Sequence, residues 1–176
     1  KQLKKIRIPT YINAIKESSF LSCFSLREVT IPSSVIIIEN FAFKNCVSLK
    51  HVTIPSSVTR IGKESFQGCK QLTTIILPST ILLIENSSFE YCISLEKILI
   101  SDKTNNCNLI IESRAFDGCK SLKQIPILSF CERVDSHAFS NCESLEQIII
   151  PPSLTTIQKS VFSGCKSIKQ ITIPST

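Results

Sequence analysis

Residues 49–71 read "LKHVTIPSSVTRIGKESFQGCKQ", with apolar side chains at 49, 52, 54, 58, 61, 66 and 69 and polar ones at most positions between. Neither a sustained 3.6-residue period nor a long two-residue alternation describes this spacing. The pattern returns along the chain instead. Aligned on cysteine, it places Cys23, Cys46, Cys69, Cys92, Cys119, Cys142 and Cys165 at steps of 23, 23, 23, 27, 23 and 23 residues. A phenylalanine precedes each by three: Phe20, Phe43, Phe66, Phe89, Phe116, Phe139 and Phe162. An aliphatic follows each by three: Leu26, Leu49, Leu72, Leu95, Leu122, Leu145 and Ile168. The unit is L-x-x-I-x-I-P-x-x-V-x-x-I-x-x-x-S/A-F-x-G/N-C-x-x. It predicts seven repeats, 3–25, 26–48, 49–71, 72–94, 95–121, 122–144 and 145–167, and a partial eighth, 168–176. The one irregularity is four extra residues within "SDKTNNCN" (101–108).

Each column predicts an element. The alternating pairs Val29/Ile31, Val52/Ile54 and Ile148/Ile150 have the period of a short strand with one face buried. Six of the eight prolines follow directly (Pro9, Pro32, Pro55, Pro78, Pro151 and Pro174), where the missing N–H ends the strand and opens a turn. V-x-x-I carries two more inward residues across a turn region. S/A-F-x-x-C-x-x-L suits a single helical turn and its exit. Gly68, Gly118, Gly164, Asn45 and Asn141 precede the cysteine, and these residue types tolerate a left-handed backbone at the end of a helical turn. Ser22 and Tyr91 depart from that column, which predicts looser coils there. A unit this short does not bury its apolar face alone, but stacked copies do. The expected fold is therefore a solenoid, with eight coils spanning somewhat under ~40 Å at the usual strand spacing.

The unit resembles the BspA-like, or Treponema pallidum-type, leucine-rich repeat, with its I-P, A/S-F and cysteine columns, over essentially the whole chain. Ser101 and Leu128 stand where the proline is expected, Cys131 where the aliphatic of the Val column is expected, and only Gly62 keeps the I-G of the family. The resemblance implies a right-handed leucine-rich repeat solenoid of the α/β type. In it short parallel strands line the concave face, and turns with short helical segments form the convex one. It also implies non-catalytic surface proteins that bind host cells, matrix proteins or other microbes, hence a cell-surface or secreted location. No cofactor and no catalytic residue are implied.

Composition adjusts this picture only slightly. The 176 residues are 43% hydrophobic and 19% charged, which suits a globular core. No apolar run reaches the roughly 18–20 residues of a membrane helix, so no membrane insertion by this segment is expected. The chain opens just after a cysteine column and ends in mid-coil without polar capping units, so a window cut from a longer array is expected, or ends that associate with each other. The cysteine column reads as buried core, since zinc ligands come in close pairs that are missing here. Cys107 in the insertion and Cys131 on the next coil leave a disulfide open, with Cys131 as a small core substitute the plainer reading. His51 and His137 have no recurring Ser or Asp partner.

Partner choice is expected in the outward strand positions. One column runs Lys5, Glu28, His51, Thr74, Lys97, Gln124, Gln147, Gln170. The next runs Arg7, Thr30, Thr53, Ile76, Leu99, Pro126, Ile149, Thr172, and turns apolar from Ile76 to Ile149. Thr74, Ile76, Lys97, Leu99, Gln124, Gln147 and Ile149 are the candidate protein-contact residues. Lys4, Lys5, Arg7, Arg27 and Lys50 form a candidate basic patch for an acidic glycan, consistent with a net charge of +6. Nucleic acid is not expected, because no aromatic ladder faces outward for bases to stack on. Asn86-Ser87-Ser88 is a glycosylation sequon if secreted and outward. Two other functions stay open: a cytoplasmic scaffold, which nine largely unpaired cysteines would suit, and a spacer that displays another domain.

Overall fold

The structure, a computed structural model, describes residues 3–101 and 108–173. Its strands, numbered in chain order, fall into three parallel sheets. β1 (Lys5–Arg7), β3 (Glu28–Thr30), β5 (His51–Thr53), β7 (Thr74–Leu77) and β9 (Lys97–Ile100) form the first sheet in that order. β2 (Ala14–Ile15), β4 (Ile37–Ile38), β6 (Arg60–Ile61), β8 (Leu83–Ile84), β10 (Leu109–Ile111) and β11 (Cys131–Val134) form a second. β12 (Gln147–Ile149) and β13 (Gln170–Thr172) pair alone. The fold is thus a parallel β-solenoid in which each coil hydrogen-bonds to the next.

The first sheet is the expected one: Val29, Val52, Ile75 and Ile98 are buried while Glu28, Thr30, His51 and Thr53 point out. The second sheet corrects the sequence reading, which took V-x-x-I for a turn. Its two-residue strands are too short to alternate; they exist because their backbones pair across coils, as in Ile37↔Arg60 and Ile38↔Ile61.

The segment around each phenylalanine is a second correction. Apart from a 3-10 helix at Pro126–Phe130, no helix occurs among the described residues. Turn bonds such as Ser19 N–H to the Lys16 carbonyl and Cys23 N–H to Phe20 alternate with donors aimed at the next coil. Phe41, Phe43 and Asn45 N–H donate to the carbonyls of Lys63, Ser65 and Gln67 at 2.7–2.9 Å. Phe41 (φ 59°) and Asn45 (φ 60°) are left-handed, which turns those N–H groups outward and prevents an α-helical turn. The pre-cysteine column was foreseen. The column two residues before phenylalanine was not: Ser18, Phe41, Glu64, Ser87, Arg114, His137 and Ser160 have φ of 53–61° with no glycine among them.

Inside, the phenylalanines stack with centroids 5.1–5.2 Å apart from Phe20 to Phe139, and 6.1 Å apart at Phe139–Phe162. The stack is unbroken across the four-residue insertion, since Phe89 and Phe116 lie 5.1 Å apart. The expected looseness at Tyr91 is not seen. Tyr91 takes φ 57° and donates to the Asp117 carbonyl at 2.8 Å as its neighbours do. The Ala/Ser column holds one defect: the Ser65 hydroxyl is buried and has no hydrogen-bond partner among the described residues, whereas the Ser88 hydroxyl lies 3.1 Å from the Gly62 carbonyl. Ser65→Ala is therefore expected to stabilise the fold by about 1 kcal/mol, with Ser88→Ala destabilising, in thermal melts.

Candidate functional site

Seven of the nine cysteines recur as one column, and a thiol is a nucleophile wherever it ionises. Cys46, Cys69, Cys92, Cys119, Cys142 and Cys165 each donate S–H to the phenylalanine carbonyl of the preceding coil at 3.2–3.4 Å. Burial pushes the Cys46 and Cys92 thiols up to about 12 and likewise raises Cys69 and Cys119 well above the ordinary thiol value. Thiols so raised supply little thiolate, so these four rungs are structural hydrogen bonds rather than nucleophiles; at the C-terminal end the Cys142 hydrogen bond instead lowers Cys165. Cys131 is buried and donates to the Ile127 carbonyl at 3.3 Å, a core position as expected. Its suggested partner Cys107 lies outside the described residues. Among the described residues no group of three His, Cys, Asp or Glu side chains is arranged to hold a metal, and no helix is long and apolar enough to cross a membrane.

On the outer face of the first sheet, register decides which candidates meet. Thr74 pairs with Lys97 and Ile76 with Leu99, so these four form one block. Ile76 is half-buried between Thr53 and Leu99, and Leu99 is 46% exposed. The apolar row does not continue to Ile149 as the columns suggested. Pro126 opens the 3-10 helix where a sixth strand would lie, because proline has no N–H for the ladder. Gln124 therefore lies at this break and Gln147 and Ile149 beyond it, around a groove of about 290 Å³ shared with Ile125, Pro126, Ser129 and Pro151.

The basic patch is assembled but partly neutralised. Lys4, Lys5, Arg7, Arg27 and Lys50 are all exposed, and Arg27 and Lys50 N–H donate to the backbone carbonyls of Lys4 and Arg27. Lys5, however, pairs with Glu28 at 2.7 Å. Carboxylates elsewhere stitch coils together. Glu39 accepts from Lys16 Nζ at 2.8 Å and from Glu17 N–H at 3.0 Å, and the Lys16 hydrogen bond, then that backbone donor, hold its carboxyl below the usual range. Hydrogen bonds from Lys120 and Lys166 lower Glu143 in the same way. Asn86 is exposed, yet its side-chain Nδ2 donates to Glu112 at 2.7 Å, so the nitrogen a glycan would occupy already bridges two coils. No sequence signal marked that bridge, since Glu112 belongs to the following coil.

The profile of the BspA-type leucine-rich repeat region matches residues 1–109 and 103–176, in six copies. Among solved structures, a leucine-rich cell surface protein from Faecalibacterium prausnitzii A2-165 is 25% identical, with a TM-score of 0.63 over 99% of this chain and 60% of that one. A leucine-rich repeat protein from Eubacterium ventriosum ATCC 27560 is 24% identical, TM-score 0.81, over 98% and 44%. The Treponema pallidum leucine-rich repeat protein is 20% identical, TM-score 0.64, over 82% and 79%. The chain thus spans less than two thirds of the first two. Among curated proteins none matches it.

Proposed function

This chain belongs to the BspA-type leucine-rich repeat family, and on that footing we propose that it is a non-catalytic binding module of a cell-surface or secreted protein. Its partner is a protein of a host cell or extracellular matrix. The observation that carries the reading is the block on the first sheet, where Ile76 and Leu99 sit side by side in register with Thr74 and Lys97 beside them. An exposed Leu99 beside a half-buried Ile76, flanked by polar groups, has the composition of a contact patch. The description of the Faecalibacterium relative as a cell surface protein supports the location.

An acidic glycan at the basic patch ranks second, because the Lys5–Glu28 pair reduces the charge it offers. The test is capture of the purified protein on immobilised extracellular-matrix proteins. Ile76→Asp with Leu99→Asp is expected to weaken capture about tenfold or more, the worth of roughly 1.4 kcal/mol, with an unchanged circular dichroism spectrum. Unaltered capture rules the site out, and loss of capture on Lys50→Glu and Arg27→Glu instead moves it to the basic patch.

A further inference from the structure

The break in the first sheet has a chemistry of its own. In β12, Ile150 just beyond the strand donates its N–H to the Thr172 carbonyl at 2.9 Å, toward the last coil. Successive residues of a parallel strand bond to opposite neighbours, so the N–H and carbonyl groups of Gln147 and Ile149 face the sixth coil. In regular coils the equivalent residues are paired, as Thr30 is with Arg7 and Ile76 with Thr53. Here the last coil-to-coil bond on this side is Glu146 N–H to the Lys123 carbonyl, 3.2 Å. Beyond it the sixth coil passes through Ile125 into the 3-10 helix, which buries Ile127 and Leu128 inward. Among the described residues the Ile149 N–H makes no backbone hydrogen bond to the sixth coil.

Beside this open ladder position lies the groove of about 290 Å³. Pro126, Ile149 and Pro151 give it an apolar floor, and the Gln124 and Gln147 amides flank it. Its polar end runs on into a second depression lined by Lys123, Gln124, Glu146, Gln147, Lys169 and Gln170. Each primary amide offers both a donor and an acceptor, which matches the alternating N–H and C=O of an extended backbone. The apolar floor takes one aliphatic side chain. No aromatic ring lines the groove, which disfavours a sugar face.

We infer that this groove binds a short extended peptide segment of the partner, which completes the interrupted ladder by accepting from Ile149 N–H and bonding to the Gln124 and Gln147 amides. This is strand addition at an internal gap rather than at a sheet edge. The inference rests on the binding-module reading and locates a subsite separate from the Ile76–Leu99 block.

The probe is a phage-displayed library of random linear peptides, with the best binder resynthesised and measured by fluorescence anisotropy. Ile149→Pro removes the open donor while sparing the bonds to β13, and it is expected to weaken binding about tenfold or more. Gln147→Ala weakens it as well, and Leu99→Asp leaves it unchanged. N-methylation of alternate peptide amides, which needs no change to the protein, is expected to abolish binding in one register and spare the other. Failure to enrich any peptide overturns the inference. So does a binder lost with Ile76→Asp and Leu99→Asp but kept by Ile149→Pro, which leaves the binding-module reading standing. Peptide binding that follows Ile149→Pro while matrix capture is absent upholds the groove and overturns only the proposed matrix partner.

Discussion

Phe66→Ala is expected to destabilise the fold by about 3–5 kcal/mol, the range for removing a buried aromatic ring. Phe66 is fully buried and stacked on both sides, 5.1 Å from Phe43 and 5.2 Å from Phe89. Truncation leaves a void between two rings that cannot close. Each coil is held by its Phe41-, Phe43- and Asn45-type bonds to the next, so neighbouring backbones keep their spacing. Stability in a solenoid is carried by nearest-neighbour interfaces, so the loss falls on two interfaces at once. Phe162→Ala is the control: that ring is only partly buried and stands 6.1 Å from Phe139 on the one side where it is stacked, so its cost is expected to be clearly smaller. Urea denaturation followed by circular dichroism checks both. Equal costs at the two positions would show that the stack is not what holds the coils together.

Gly62→Ala is expected to cost about 3 kcal/mol, the upper end for overpacking, although it adds a single methyl group. A Cβ at Gly62 would sit 2.7 Å from the Glu39 carbonyl carbon, 2.8 Å from Asn40 N and 2.9 Å from Asn40 Oδ1. Two of these atoms are backbone, and moving them strains the bond from Gly62 N–H to the Ile38 carbonyl at 2.8 Å and that from Lys63 N–H to Asn40 Oδ1 at 3.0 Å. Removing the unpartnered Ser65 hydroxyl, three residues on, to leave only a methyl is expected to stabilise. Melting temperatures of the two variants moving in the same direction would refute this account.

The solenoid was readable because its core is periodic: phenylalanine, cysteine and leucine recur where the coils stack, and each column has one physical job. What escaped reading depends on contacts between coils rather than on residue type. The second sheet consists of strands as short as Arg60–Ile61, defined only by their partners. The left-handed column through Ser18, Phe41, Glu64 and His137 carries no glycine to announce it. At the candidate site, the outward columns placed Ile76 and Leu99 together correctly. They joined Ile149 to that row because Pro126 was read as one more apolar position rather than as the residue that stops a strand. Glu28 follows Lys5 in its outward column, but the ion pair between them is a side-chain geometry that spacing does not specify.

The residues before the cysteines hold one further consequence. From Asn45 onward they alternate between a side chain and glycine: Asn45, Gly68, Tyr91, Gly118, Asn141, Gly164. The Asn45 and Asn141 amides and the Tyr91 ring each occupy the space beside the next glycine, where a Cβ would approach within 2.5–2.7 Å. Neighbouring coils along this stretch therefore alternate between an odd form that carries a side chain there and an even form that makes room for it. Along this stretch the array has a parity. Deleting or duplicating one coil sets two side chains or two glycines against each other, whereas gaining or losing coils in pairs preserves the fit. The two-coil unit, rather than the single repeat, is the step by which this stretch of the array could lengthen or shorten without strain.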